Sequence, residues 1–333
     1  MKDPGAFRGC LLGGAVGDAL GYGVEFLGEQ AIRAAYGPRG ITQYRLSGGM
    51  ARISDDTQMA LFTAAGLLAG REGAYLDSIR ACYREWLITQ EKPGPTGIGP
   101  GHSGLMGETG LYSPRAPGMT CLSAIRQGAW GGVDDPINDS KGCGGIMRVA
   151  PIALYMGDLD QAVALSAAAA ALTHGHELGW LPAAALVHVL WLLLREQGIS
   201  IQEAVLDMQR AIPKAWPRAR HMGEMMDLVD RALALAEGDM SDPEAVRLLG
   251  EGWVAEETLA IALYCALRHA GDFEGGIVAG VNHGGDSDST GAVAGNILGA
   301  HLGIDAIPDK FQRDLELSEL ILSLADRLFE AAS

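Results

Sequence analysis

Positive charge is scarce in this chain: 25 Lys and Arg stand against 41 Asp and Glu, a formal net charge of −16 over 333 residues. Nonspecific nucleic-acid binding draws on cationic side chains that neutralise phosphates, and this balance argues against it. A phosphate-bearing ligand would need bound cations or backbone N–H donors to offset the negative field. Cysteine is also sparse. Cys10, Cys82, Cys121, Cys143 and Cys265 are odd in number and widely spaced, with no Cys-x-x-Cys pair. That pattern suggests neither a disulfide framework nor a zinc site, and it fits a reducing cytoplasm. Long apolar runs are missing as well. The stretch from Cys10 to Val16 is rich in glycine and soon meets Asp18, which is unlike a signal peptide. Leu181 to Leu194 is strongly apolar, but it contains His188 and is shorter than the roughly 20 residues that span a bilayer, so a buried core helix is expected and no membrane partner. Period-two alternation is not sustained anywhere; Ile41 to Leu46 is the best strand candidate and reads equally as an extended loop.

What the chain does have is helical periodicity. Apolar residues recur at three and four spacings in Phe7–Leu20, Thr57–Leu68, Leu76–Ile88, Leu159–Leu172, Leu178–Leu194, Ile201–Ile212, Met222–Ala236, Glu256–Leu267, Val293–Leu302 and Phe311–Phe329. The fold class is therefore all-α. With 48% apolar and 20% charged residues, the composition suits closely packed, alanine- and glycine-rich helices. No composition break marks a linker, so one domain over residues 1–333 is expected, and a monomer, since no heptad or exposed strand suggests obligate assembly. Glycine and proline concentrate in Lys92–Gly118, a loop long enough to suggest function, and a second polar stretch runs from Gly131 to Gly145.

Two acidic clusters each stand just before an apolar helical stretch: Ser54-Asp55-Asp56-Thr57, and Gly284-Gly285-Asp286-Ser287-Asp288-Ser289-Thr290. Asp and Ser are ordinary N-caps, and one cluster alone could be no more than that. A cap needs one side chain, however, and here several oxygen ligands crowd at each helix start. Adjacent helical positions diverge by about 100°, so Asp55 and Asp56 can address two ions of a close pair. Asp286 and Asp288, two apart, share one side of an extended turn. Carboxylates and hydroxyls favour Mg²⁺, Ca²⁺ or Mn²⁺ over zinc or copper, and Mg²⁺ or Mn²⁺ is the expected metal. Gly291, Gly295 and Gly299 predict close packing of the second helix on a neighbour.

Other candidates carry less on spacing alone. Glu25 follows Gly17-Asp18-Ala19-Leu20-Gly21-Tyr22-Gly23-Val24, and a lone loop glutamate is usually solvated. Lys141-Gly142-Cys143-Gly144-Gly145-Ile146-Met147-Arg148 is a glycine-rich turn opening an apolar helix, suited either to holding a diphosphate or to a plain tight turn. It is not a P-loop, because the lysine precedes the glycines. Cys143 as a nucleophile would need a nearby base, and the reading goes against it. His174 and His176 lack the spacing and third ligand of a zinc site; contact with a ligand or closure of a helix end is expected instead.

Taken in order, these motifs resemble the ADP-ribosylglycohydrolase family, which includes the dinitrogenase reductase-activating glycohydrolase and the ADP-ribosylarginine hydrolases. The resemblance covers nearly the whole chain, through Gly17–Gly21 with Glu25, Ser54–Thr57, Ser140–Arg148, Thr173-His174 and Gly284–Gly291. It implies a compact all-α fold with two Mg²⁺ or Mn²⁺ ions at the base of a cleft. By motif position the metal ligands would be Ser54, Asp55, Asp56, Asp286, Asp288 and Ser289, with Thr290 the alternative to Ser289. Threonine is common in the family where this chain has Ser54 and Ser289, and the hydroxyl oxygen is retained. Glu25 would be the mobile acid near the distal ribose. Gly142, Cys143, Gly144, Gly145, Ile146 and Met147 would hold the diphosphate and adenosine, with His174 beside them. The wording of the motifs is most similar to the arginine-directed branch, which implies metal-dependent hydrolysis of ADP-ribosylated arginine in a protein substrate and release of ADP-ribose. The metals, held in part by the catalytic candidate Asp55, would bind the ribose hydroxyls, orient a water and steady the oxocarbenium-like centre while Glu25 or Asp56 manages the proton. The rival expectations are serine-linked ADP-ribose, O-acetyl-ADP-ribose or another ADP-ribosyl conjugate, and a noncatalytic ADP-ribose-binding or crystallin-like structural role.

Overall fold

Helical periodicity carries through the computed structural model, which describes residues 3–95 and 99–332; residues 96–98 of the Lys92–Gly118 loop lie outside the described residues. In chain order the α-helices are α1 (Pro4–Tyr22), α2 (Glu29–Tyr36), α3 (Asp55–Ala69), α4 (Tyr75–Glu91), α5 (Met119–Gln127), α6 (Ala150–Tyr155), α7 (Leu159–Ala171) and α8 (Glu177–Arg195). There follow α9 (Ile201–Ala215), α10 (Met222–Glu237), α11 (Asp242–Leu249), α12 (Ala255–Arg268), α13 (Phe273–Val281), α14 (Ser287–Leu302), α15 (Asp309–Gln312) and α16 (Ser318–Ala332). The all-α expectation holds. Buried apolar side chains from Phe7 in α1 to Leu328 in α16 form one contiguous core.

The pairing that places the site is α1 against α14. Gly9, Gly13, Gly17 and Gly21 on α1 face Gly299, Gly295, Gly291 and Ser287 on α14, so the two helices run antiparallel with their backbones in contact. A Cβ on Gly17 would lie 1.9 Å from the Gly291 carbonyl oxygen, and one on Gly299 would lie 1.9 Å from that of Gly9. No side chain fits, and the close approach expected of Gly291, Gly295 and Gly299 has its partner in α1. Because the pair is antiparallel, the C-terminal end of α1 meets the N-terminal end of α14, and the two ends of the chain close on one another.

The apolar Leu181–Leu194 stretch lies within α8. That helix is long and apolar enough to cross a membrane, yet 83% of its apolar window is buried inside the protein. It is a core helix, as its composition predicts.

Of the two readings open for Ile41–Leu46, the loop is the one found, fixed by the Asn282 side chain, whose oxygen accepts from the Ile41 N–H at 2.7 Å. Only its end pairs: β1 (Leu46–Ser47) and β2 (Met50–Ala51) form a two-stranded antiparallel hairpin. Its tip is Gly48-Gly49, at φ 61° and 84°, the left-handed pair that a tight hairpin turn requires. The periodic run Phe311–Phe329 is not one helix but α15 and α16. Between them the backbone at Asp314 and Glu316 bonds to Ala51, and Leu317 turns at φ 57°, so pairing with the hairpin displaces helical bonding there.

Candidate functional site

The start of α3 is built on a buried carboxylate from α1. Asp18 accepts hydrogen bonds from the Ser54 N–H at 2.9 Å, from the Thr57 N–H at 3.1 Å and from the Thr57 hydroxyl. Ser54 is the N-cap of α3, its hydroxyl accepting from the Asp56 N–H at 3.1 Å. With Asp18 and Ser54 satisfying the free N–H groups of the first turn, Asp55 and Asp56 are left over for other work. Asp55 accepts from the Gly118 N–H at 3.2 Å, which ties the end of the long loop to the site.

The start of α14 comes to meet it. Asp286 caps this helix, and its own N–H donates to the Glu251 carbonyl at 2.8 Å. The Ser289 hydroxyl donates to Asp56 at 2.8 Å, joining the two acidic clusters across the cleft. Thr290 faces the other way: its hydroxyl donates to the Gly280 carbonyl at 2.7 Å and contacts His283 at 2.8 Å. Of these two hydroxyls, only Ser289 is turned towards the carboxylates.

Glu25, Asp286 and Asp288 each place a carboxylate oxygen within 4.8 Å of the others, and all three are buried. One oxygen of Glu25, Oε2, is buried with no hydrogen-bond partner. Among the described residues no lysine or arginine forms an ion pair with Asp18, Glu25, Asp55, Asp56, Asp286 or Asp288. Burial first, and repulsion from Asp286 and its neighbours next, pushes Glu25 up to about 8. Burial likewise pushes Asp55 up to about 8 and holds Asp56 and Asp288 well above the usual carboxylate range, with the surrounding carboxylates adding to it. Burial raises Asp286 too, and takes Asp18 to about 6 against the hydrogen bonds that lower it. So much unneutralised carboxylate inside a protein is stable only when protonated or when matched by cations. The all-oxygen donor set, the burial and the orphaned Glu25 oxygen together fit a divalent-cation site.

The glycine turn forms the adjoining wall. Its 3₁₀ turn, Cys143–Gly145, is clamped to the segment before α12: Cys143 N–H donates to the Trp253 carbonyl at 3.2 Å, and Ala255 N–H to that of Lys141 at 2.9 Å. Lys141 also pairs with Glu256. Tight packing explains two of the glycines: a Cβ on Gly144 would lie 2.8 Å from the Cys121 sulfur, and one on Gly145 2.5 Å from the Gly179 carbonyl. Ile146 and Met147 point into the core, and their N–H groups already donate to the Cys143 carbonyl at 2.9 and 3.2 Å. Any contact they make with a ligand is therefore a backbone or indirect one. Cys143 joins the two walls, its thiol donating to Asp286 at 2.7 Å. Burial and the facing carboxylates raise that thiol well above its ordinary range, so it is a hydrogen-bond donor and a poor nucleophile.

His174 stands over Gly142 and Gly144, with its Nδ1 2.8 Å from the Thr173 hydroxyl. Burial, and then the charge of Arg148, lower it to about 3, so it is neutral. His176 does a different job, accepting the Leu178 N–H at 3.0 Å as the N-cap of α8.

Four residues received no role in the sequence reading. Asp18 orients α3, and the only signal was a carboxylate inside an otherwise apolar helix. Arg148 is fully buried, donating to the Ala169 carbonyl at 3.0 Å and the Thr173 hydroxyl at 2.7 Å beneath the glycine turn, with the Tyr83 ring 4.6 Å away. Phe26 and Trp253 stack with ring centroids 6.3 Å apart, both exposed, one beside Glu25 and the other beside the glycine turn. No local pattern links residues so far apart in sequence.

A family model described as ADP-ribosylglycohydrolase matches residues 3–333. ADP-ribosylhydrolase ARH3 of Mus musculus is 24% identical over 98% of this chain and 92% of its own length. ADP-ribosylarginine hydrolase Tri1 of Pseudomonas putida is 26% identical over 98% of this chain and 78% of its own. A solved structure described as an ADP-ribosylglycohydrolase-related protein complex superposes with a TM-score of 0.69 at 27% identity, covering 99% of both chains.

Proposed function

The chain belongs to the ADP-ribosylglycohydrolase family, and from that premise we propose that it is a divalent-cation-dependent hydrolase that frees ADP-ribose from ADP-ribosylated arginine in proteins. The observation that carries the reading is the buried junction of two helix starts, where Ser289 bonds Asp56 and Glu25, one of its oxygens unpartnered, lies against Asp286 and Asp288. Removal of ADP-ribose rests on the family itself; the arginine linkage rests on the wording of the motifs. Relatives named ADP-ribosylhydrolase and ADP-ribosylarginine hydrolase match at nearly the same identity.

Ser54, Asp55, Asp56, Asp286, Asp288 and Ser289 would hold two Mg²⁺ or Mn²⁺ ions. Bound there, the ions would polarise the ribose hydroxyls and a water and offset charge in the transition state. This chain's own residues supply the rest. Asp18 fixes the first turn of α3, and Ser289 fixes Asp56, so the carboxylates are oriented before substrate arrives. In the ionised form that bound cations would favour, Glu25, with one oxygen uncommitted, takes the proton from the attacking water, and Asp55 faces the positive charge that develops at the anomeric carbon. The glycine turn and His174, held neutral, border the ADP portion. All five cysteines are free, which supports a reducing, cytoplasmic setting.

The deciding experiment measures ADP-ribose release from matched arginine-linked and serine-linked ADP-ribosyl peptides with Mg²⁺, with Mn²⁺ and with chelator. Cation-dependent release from the arginine peptide alone is the expected result. Release from the serine peptide instead would move the specificity while keeping the chemistry, and release unaffected by chelator would overturn the cation site.

A further inference from the structure

In a chain of net charge −16, three arginines converge on one groove of about 470 Å³. Arg45, Arg52 and Arg115 line it together with Tyr22, Phe26 and Leu46. Arg52 and Arg115 both reach the buried carboxylate of Glu316, at 2.5 and 3.1 Å, so one negative charge answers two positive ones. Arg45 is exposed and, among the described residues, has no ion-pair partner. The lining itself thus carries three arginines and no carboxylate, with Glu316 behind it answering two of them, in a chain that is acidic overall.

It also adjoins the candidate catalytic centre. The Arg115 carbonyl accepts the Asp55 N–H at 3.0 Å, and Tyr22 and Phe26 flank Glu25 in sequence. The glycine turn meets the carboxylates from Asp286 instead, through Cys143. The groove thus reaches the same cluster from the α1 and Asp55 side, and Phe26, stacked on Trp253, separates it from the glycine turn assigned to ADP.

Its rim is apolar. Phe26 and Leu46, both in its lining, are 73% and 48% exposed. Arginine interleaved with aromatic and aliphatic side chains is the composition of a protein-docking surface, whereas a lone phosphate has no use for the apolar rim. We infer that this groove seats an acidic segment of the modified protein, next to the ADP-ribosylated residue, and so selects among protein substrates by charge. This rests on the functional reading above.

The test compares three conjugates: an ADP-ribosyl-arginine peptide flanked by Asp and Glu, the same peptide with Asn and Gln, and an ADP-ribosylated small guanidine with no peptide. The wild type should favour the acidic peptide, and the preference should shrink as salt rises. Arg45→Glu should raise KM for the acidic peptide by about tenfold while kcat and turnover of the small guanidine stay unchanged. Equal kcat/KM for the acidic and neutral peptides, or an Arg45→Glu effect shared by all three conjugates, would overturn the inference. If none of the three is hydrolysed, the functional reading fails, and anisotropy of the unmodified, labelled acidic peptide decides the groove. Binding to the wild type that Arg45→Glu loses keeps it; binding equal in both, or none, removes it. Competition by tripolyphosphate but not by acidic peptide would assign the groove to phosphate.

Discussion

Around Gly142–Met147 the protein's own groups do the neutralising. Arg148 is spread over Ala169, Thr173 and the Tyr83 ring, Lys141 meets Glu256, and His174 is held uncharged. A few ångströms away, across the Cys143–Asp286 bond, Glu25, Asp55, Asp56, Asp286 and Asp288 are buried together with no cationic partner among the described residues. One wall is finished by folding; the other stays electrostatically incomplete until protons or cations arrive. A binding surface can be preformed because its ligand contacts resemble ordinary packing. A catalytic surface that stabilises developing positive charge must carry uncompensated negative charge beforehand, at the expense of the stability of the metal-free fold.

Neutralising the incomplete wall should break the contrast most strongly. Asp55→Asn with Asp286→Asn should lower turnover by more than about a hundredfold, the upper range for partners one step removed from a metal ligand. The metal-free variant should nonetheless melt above the metal-free wild type, because two ionisable groups disfavoured first by burial have been made neutral. The pH dependence follows with a definite sign. In the metal-free wild type Glu25 and Asp55 keep their protons up to about 8, while unfolded carboxylates release theirs near about 4. Between those values the native state binds more protons, so stability falls as pH rises through the window. Cations displace those protons, and the Mg²⁺-induced rise in Tm should be larger at pH 8 than at pH 5 in the wild type and flat in the variant. Calorimetry showing an undiminished Mg²⁺ shift in the variant would remove the cation assignment.

The finished wall is probed by size rather than charge. Gly145→Ala forces a Cβ to 2.5 Å from the Gly179 carbonyl and should cost about 1–3 kcal/mol in denaturant unfolding. Gly142→Ala meets its nearest atom, the His174 Nε2, only at 3.5 Å and should stay within about 0.5 kcal/mol. Equal midpoints for the two variants would mean that the turn is not held as tightly as its packing indicates.

The bond between the walls should give the smallest effect. Cys143→Ser keeps a donor towards Asp286 and should leave kcat/KM within about threefold, whereas Cys143→Ala should lose up to about tenfold, the worth of one hydrogen bond. Inactivity of the serine variant would instead give the sulfur a chemical role.

Much of this was legible because it is local. The Thr57–Leu68 and Leu178–Leu194 periodicities lie within α3 and α8, and Ser54 and Asp286 read as helix starts because capping chemistry is written in a few adjacent residues. Short helices such as α2, α6, α11 and α13 escaped because six to nine residues show barely two turns of pattern. The division of Phe311–Phe329 escaped because its cause, the hairpin at Ala51, lies more than two hundred residues upstream. Asp18 and Arg148 could be seen but not given work, since a buried charge acquires meaning only from what faces it.

The sequence by itself determined the helical class, the oxygen-rich helix starts and the run of motifs that marks the family, for each depends on neighbours along the chain. Only the tertiary structure decided that Ser289, not Thr290, turns to Asp56, that Cys143 bonds Asp286, and that three arginines share one groove. The first of those outcomes follows from the antiparallel contact of α1 with α14, where glycine faces glycine closely enough that the rotation of α14 is fixed; the others depend on segments far apart in the chain meeting in space.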